Sequence, residues 1–192
     1  MNPYYWIIPA YLLGSFPTGV VLSRQKYGID VREMGSGNIG ATNVTRVFGW
    51  YAGVLVFLID LFKALFPMLL VRRHYPDEEW LLAGVGAAIV LGHCFSIFLK
   101  FRGGKGVATS LGCVLIVEPW LGIVGAIVYA ALLIRTKISA VGSLGGIAVV
   151  VLYAAIAQPP LPTTALLIGT GLIVTIRHHS NIRRLVDGWR GR

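Results

Sequence analysis

The sequence predicts an all-α membrane protein of seven transmembrane helices, with the N-terminus outside, the C-terminus cytoplasmic and one or two spans short. Three observations carry this. Of the 192 residues, 56% are hydrophobic and 13% are charged, where an ordinary soluble domain carries about 25% charged residues. The mean hydropathy of +0.73 also excludes a disordered chain, which needs low hydrophobicity. The formal net charge of +9 is confined to short segments between apolar runs. The length fits one domain, residues 1–192.

A helix needs about 20 apolar residues to cross about 30 Å of hydrocarbon. Pro3 to Leu22 qualifies without a charge. With no basic region before it and no small-x-small cleavage site after it, this run is expected to remain in the mature protein. Trp50 to Val71 carries Asp60 and Lys63, spaced i, i+3 on one face. That pair reads either as a structural ion pair turned into the bundle or as support for a functional site. Trp80 to Leu99 is interrupted only by His93, Ile138 to Ala157 is a clear span, and Leu161 to Ile176 is shorter.

Val107 to Ile134 contains Glu118-Pro119. Proline breaks a helix and a mid-membrane carboxylate is costly, so this stretch is expected to form a hairpin of two helices, the first of only about 11 to 13 residues. Charge supports that division. With a hairpin, one face collects Arg24, Lys26, Arg32 and Arg46, then Lys100, Arg102 and Lys105, then Arg135 and Lys137, and finally Arg177, Arg183, Arg184, Arg190 and Arg192. The other face keeps Arg72 and Arg73 against Asp77, Glu78, Glu79 and Glu118. The rich face is cytoplasmic by the positive-inside rule. A single long helix would scatter these loops over both faces. Trp50, Trp80 and Trp120 fall at span ends, where interfacial tryptophan belongs. Cys94 and Cys113 have no metal-ligand spacing and are expected as free, buried thiols.

Four polar segments on the basic face carry the chemistry. In GSGNIGATNVTR, Gly35 to Arg46, the glycines at 35, 37 and 40 can turn backbone N–H groups towards an anion. Ser36, Asn38, Thr42 and Asn43 add uncharged donors, and Arg46 adds a bidentate cation. The G-x-G-x-x-G match within it is a decoy, because membrane spans flank it where a dinucleotide site needs a βαβ unit. In LKFRGGKGVATS, Gly103, Gly104 and Gly106 surround Lys105 just before a helix, and a helix N-terminus with a lysine suits an anion. In RTKISAVGSLGG, Ser143 stands in the first turns of a span, either for close helix packing or as a further donor. In RHHSNIRRLVDGWR, an interfacial helix on anionic lipid explains the arginines, while His178 and Asn181 point to a proton carrier and a polar ligand.

These segments, in this order and on a chain of this size, resemble the bacterial acyl-phosphate glycerol-3-phosphate acyltransferase family. The resemblance covers nearly the whole chain. It implies transfer of a fatty acyl group from acyl phosphate to the 1-hydroxyl of glycerol 3-phosphate, giving lysophosphatidic acid and phosphate in the bacterial cytoplasmic membrane, with the active site on the cytoplasmic side. By position, Ser36, Arg46, Lys105, His178 and Asn181 match the family's essential residues, and Gly104, Lys105 and Gly106 its acyl-phosphate motif. Ser143 resembles its hydroxyl donor near the phosphate. Two positions depart: His179 stands where arginine is commoner, and Gly188-Trp189-Arg190 replaces a glycine, a small residue and a structural glutamate. Asp187 is placed to substitute for that acid.

No histidine on the basic face is followed five residues on by an acid, so the His-x4-Asp dyad of other glycerolipid acyltransferases is missing there. An acyl phosphate is a mixed anhydride and is already activated. Orientation can supply about 7 to 11 kcal/mol at best, and a donor to a developing oxyanion about 2.7 to 4 kcal/mol. Direct attack by the glycerol hydroxyl is therefore expected, with its proton taken by His178 or a substrate phosphate. The rival is Ser36 as a covalent nucleophile, which lacks an adjacent base in sequence. A transporter of phosphate or a phosphorylated solute would use the same loops, but calls for polar residues through the membrane and an internal repeat. Neither is visible. No metal, cofactor or nucleic acid is expected; membrane lipid is, and an oligomer is not required.

Overall fold

The structure, a computed structural model, describes residues 2–190, and among them every regular element is helical. The helices are α1 (Ile7–Ser15), α2 (Thr18–Tyr27), α3 (Ala41–Phe48), α4 (Trp50–His74), α5 (Glu79–Cys94), α6 (Val107–Val117), α7 (Pro119–Thr136), α8 (Ser139–Ala157), α9 (Leu161–Arg177) and α10 (His179–Arg190). Arg192 and the side chain of Arg190, both counted in the basic tail, lie outside the described residues.

Five stretches are long and apolar enough to cross a membrane: Pro3–Tyr27, Trp50–His74, Glu79–Leu99, Pro119–Thr136 and Ser139–Ala157. A sixth forms if α9 and α10, bent by 56° at His178, are taken together. The first stretch is less regular than its unbroken hydropathy suggests. Phe16 is extended, at φ −57° and ψ 118°, because Pro17 disfavours helical geometry in the residue before it. That break leaves the Phe16 carbonyl to accept from Lys63 Nζ at 3.4 Å. It also carries Thr18 Oγ1 to Asp60 Oδ1 at 2.9 Å. Small residues set the packing of α1 on α5, since any side chain at Gly14 would meet the Ile89 backbone and one at Gly92 the backbone of Tyr11 and Ser15.

The expected hairpin breaks at Glu118, and Pro119 opens α7 at its first turn, where its missing N–H costs nothing. Its first arm, α6, has 11 residues and rises only about 16 Å, half the hydrocarbon thickness. Contacts locate it along α4. A Cβ on Gly112 would lie 2.7 Å from the Leu61 carbonyl, and Arg72 donates to the carbonyl of Ile116. So α6 runs beside the half of α4 that ends at Arg72. The chain reaches its start through the irregular segment before Gly106, which folds against the end of α5.

The main core joins α4, α5, α6 and α9 through Met68, Leu81, Val85, Ile89, Cys113 and Leu166. Leu55, Phe62, Phe66 and Leu69 of α4 are exposed and form an outward apolar belt. Trp50, Trp80 and Trp120 are also exposed, each within the first two residues of its helix. Cys94 and Cys113 are free and buried.

Candidate active site

The first motif is half loop and half helix, because α3 begins at Ala41. Asn43 staples the two halves together. Its Nδ2 donates to the carbonyls of Val31, Met34 and Asn38 at 3.2, 3.0 and 2.9 Å, and its Oδ1 accepts from the Ser36 N–H at 2.8 Å. Gly35, at φ +60°, sits so close that a Cβ would strike that Oδ1. The expectation that this loop turns its N–H groups to an anion is corrected at three positions: Ser36 N–H goes to Asn43, Gly37 N–H to Met34 O and Gly40 N–H to Asn38 Oδ1. The side chains are what the motif offers. Thr42 and Arg46, one turn apart on α3, share a face.

Upstream, Asp30 accepts from Arg24 and Arg32, each at 2.7 Å. The Arg32 hydrogen bond, outweighing partial burial, holds the carboxyl down at about 2. Two of this loop's cations are thereby tied up, whereas Arg46 has no ion-pair partner among the described residues.

In the second motif, too, the loop glycines spend their N–H groups within the fold. Gly103 N–H donates to Cys94 O at 3.1 Å and Gly104 N–H to His93 O at 2.9 Å, so both cap the end of α5. Gly104 needs to be glycine because a Cβ there would occupy the place of His93 Nε2. Arg177 clamps the loop's other side, donating from Nε to Gly104 O at 3.0 Å and from an Nη to Gly103 O at 2.8 Å, and it lies over the Phe95 ring. Gly106, at φ +83°, turns the chain into α6. The N–H groups of the first turn of α6 have no partner within the helix.

Lys105 projects from this loop and donates to Asn181 Oδ1 at 2.6 Å. Burial, followed by the charges of Arg184, Arg177 and Arg46, pushes its pKa down to about 8. His178, 2% exposed, has Nδ1 at 2.8 Å from Val174 O. A carbonyl only accepts, so Nδ1 carries the proton in the neutral ring and Nε2 is left as an acceptor. Ser143 donates to the Ser139 carbonyl at 3.0 Å, and Ser139 Oγ joins α8 to Thr42 Oγ1 at 3.0 Å and to Tyr129 OH at 3.2 Å.

Two spaces open among these residues. A polar vestibule of about 270 Å³ is lined by Ser36, Gly37, Asn38, Arg102, Gly103, Lys105, Arg177, Asn181 and Arg184. A larger cavity of about 840 Å³ is lined by Thr42, Asn43, Arg46, Gly106, Ser143 and His178 at its polar part and by Phe57, Val114, Leu133, Ile147 and Val150 along its apolar walls. Ser36, Asn38, Lys105, Asn181 and Arg184 line both. Of the residues singled out from sequence, only Gly35 and Gly104 reach neither space; they shape the loops beneath.

Sequence reasoning missed Arg177, Arg184 and Ser139. In the sequence the first two count only as orientation charges, although Arg184 stands three residues after Asn181 on the same helical face. Asp60 and Lys63 form a buried pair at 2.8 Å, and Lys63 Nζ also lies 2.9 Å from His93 Nδ1. Both Asp60 and His93 line the larger cavity. Among the described residues no cluster of His, Cys, Asp and Glu could hold a metal.

A space with a cationic mouth and apolar walls suits an amphiphile with a phosphate head, and comparison with known proteins points the same way. The chain is 44% identical to a glycerol-3-phosphate acyltransferase of Anaeromyxobacter sp. (strain Fw109-5), over 95% of this chain and 92% of that one. It is 41% identical to a glycerol-3-phosphate acyltransferase of Thermus thermophilus, over 98% and 94%. Its fold matches two crystal structures of PlsY, an integral membrane glycerol 3-phosphate acyltransferase, at 37% identity. In the glycerol 3-phosphate form the TM-score is 0.92, covering 98% of this chain and 94% of that one; in the lysophosphatidic acid form it is 0.90, covering 98% and 93%. Since the family profile described as glycerol-3-phosphate acyltransferase matches residues 4–188, so that all four polar segments fall within it, the chain belongs to the glycerol-3-phosphate acyltransferase family.

Proposed function

We propose that this protein acylates the 1-hydroxyl of glycerol 3-phosphate with a fatty acyl group from acyl phosphate, releasing phosphate and lysophosphatidic acid for phospholipid synthesis. The observation that carries this is the junction of the two spaces at Lys105, Ser36, Asn38, Asn181 and Arg184. One phosphate-bearing reactant can sit in the vestibule while the other lays its acyl chain along the apolar walls. Lys105 and Arg46 supply the charge, Ser36, Asn38, Thr42 and Asn181 the neutral donors, and Asn43 the frame.

In the reaction the glycerol oxygen attacks the acyl carbonyl carbon. The new C–O bond forms, the bond from that carbon to the phosphate oxygen breaks, and phosphate leaves with the electron pair. The hydroxyl proton passes to His178 Nε2, whose orientation leaves it an open acceptor, or to a phosphate oxygen. Holding two reactants in register accounts for most of the rate.

The same reading includes seven crossings, with α6 as the fourth and the N-terminus outside. Its missing half is made up by the glycine loop, which lies beside His93 and hence level with Asp60. Asp60 stands about 15 Å along α4 from Trp50. The bacterial cytoplasmic membrane, with the cavities opening to the cytoplasm, is the setting that places the basic loops correctly.

The decisive assay is phosphate release from palmitoyl phosphate that depends on glycerol 3-phosphate, run beside acyl-CoA and acyl carrier protein donors. Activity with acyl phosphate alone is expected. Release without acceptor, or near-normal transfer by Lys105→Ala, would overturn the assignment.

A further inference from the structure

The two histidines at the larger cavity are held in opposite tautomers. His178 presents an acceptor, as its Nδ1 faces a carbonyl. His93 is the reverse. Its Nδ1 lies 2.9 Å from Lys63 Nζ, and Lys63, paired with the Asp60 carboxylate at 2.8 Å, is an ammonium with donors and no acceptor. His93 Nδ1 must therefore be the lone pair, which leaves the proton on Nε2.

That Nε2–H has no hydrogen-bond partner among the described residues. Nor is that nitrogen among the fully buried, partnerless side-chain atoms, which among the described residues are the hydroxyls of Ser15 and Ser110. His93 is 5% exposed, and that exposure belongs to a residue lining the larger cavity beside Lys105. An unpaired donor in a buried site is costly unless something in the adjoining space accepts from it, and a ligand acceptor entering the larger cavity would do so.

Position along the cavity identifies the acceptor. On the proposed reading Lys105 and the first turn of α6 hold a phosphate, and Val114 and Val150 belong to the apolar wall of the same cavity. His93 touches Gly104, immediately before Lys105, at the boundary between the two. In an acyl phosphate the atom between phosphate and chain is the acyl carbonyl.

We propose that His93 is a further catalytic residue, donating from Nε2–H to the carbonyl oxygen of bound acyl phosphate and to the oxyanion that forms there as the glycerol oxygen adds. Asp60 and Lys63 are its positioning residues, fixing the tautomer, and Thr18 holds Asp60 in turn at 2.9 Å. The step keeps the balance given above: the carbonyl electron pair moves onto oxygen, is stabilised by the donor, and returns as the C–O bond to phosphate breaks.

This inference rests on acyl phosphate being the donor, so wild-type turnover with palmitoyl phosphate and glycerol 3-phosphate is measured first; its failure would sink that reading and not the role of His93 within it. Three variants then test His93. His93→Gln sets an amide N–H close to the Nε2 position, whereas His93→Asn falls short of it and His93→Leu has no donor. The expected result is a fall in kcat of about 10²- to 10³-fold for Asn and Leu, the loss typical of an oxyanion donor. KM for glycerol 3-phosphate and the thermal midpoint should stay near wild type, and Gln should keep at least a tenth of kcat. If Leu does not fold, Asn, smaller and polar, carries the comparison. Asn turning over within threefold of wild type, Gln falling as far as Asn, or losses confined to KM or the thermal midpoint would each overturn the proposal.

Discussion

At the level of single residues the site depends on close approach and on charge. Gly104 is the sharper case of the first, because its Cα rests where a methyl group would displace the His93 ring. Gly104→Ala should shift Lys105 and lower kcat by about 10²-fold, the cost of misplacing a reacting group by roughly 1 Å. Gly188→Ala, on α10 with nothing within 4 Å of the new methyl, should leave turnover unchanged. Parallel kinetics on the two variants check this. Charge gives a pH signature. Lys105 titrates near 8 in the unliganded protein because burial and three arginines oppose its proton, and a bound phosphate reverses that opposition. Anion affinity should therefore weaken as pH rises through about 8, with proton uptake on binding above that pH; His178, which burial holds below the usual histidine range, has lost its charge by then. The effect on folding has the opposite sense. With the folded pKa below the ordinary 10.5, the unfolded chain binds more protons between about 8 and 10.5, so this group adds stability as pH rises through that window. Glycerol 3-phosphate titrations from pH 7 to 10, repeated on Lys105→Met, should show the dependence in the wild type and lose it in the variant.

At the level of elements, the question is what the sequence could disclose. The break at Glu118-Pro119 was legible because proline breaks a helix and a carboxylate in mid-membrane is costly. The break at Phe16-Pro17 was not, since an apolar run continues across it and hydropathy does not register the turn. Likewise α3 was hidden in a glycine- and asparagine-rich motif that resembles a loop, and only the long-range hydrogen bonds of Asn43 show where loop ends and helix begins. The Asp60 and Lys63 pair was visible as an i, i+3 spacing, but its partners Thr18 and His93 come from other helices. That network gives an element-scale prediction. Removing one member of a buried pair typically costs about 3–5 kcal/mol, while replacing both with apolar residues is often neutral or better. Asp60→Leu and Lys63→Met alone should each lower the thermal midpoint sharply, and the double variant should recover it. Turnover should not recover with it, because the double variant no longer fixes the His93 tautomer. If stability and turnover returned together, the pair would serve the fold alone.

For the whole molecule, the arrangement of crossings decides which reactants can reach the site. The 11-residue α6 is too short to cross alone, but Arg72 reaches Ile116 and Gly104 lies beside His93. Loop and helix together therefore run beside α4 from the level of Asp60 to that of Arg72, and the Glu118 end lies towards Arg72, away from Trp50. On the proposed seven-span arrangement the termini lie on opposite sides and the three strongest basic loops share one face, next to both cavities. Single cysteines in a background lacking Cys94 and Cys113 test the arrangement with a membrane-impermeant maleimide. Asp77→Cys and Trp120→Cys should react together in right-side-out vesicles, and Lys137→Cys and Arg183→Cys only in inverted ones. If Trp120→Cys instead reacted only in inverted vesicles and Lys137→Cys reacted together with Asp77→Cys, α6 would turn back without crossing, since α7 separates the two positions. The charge asymmetry would then have to arise from six spans, and the glycine loop would no longer be the buried half of a transmembrane segment. Labelling as predicted also fixes the side of supply: a water-soluble glycerol phosphate must enter from the cytoplasm through the vestibule, whereas the acyl chain reaches the apolar walls from within the bilayer.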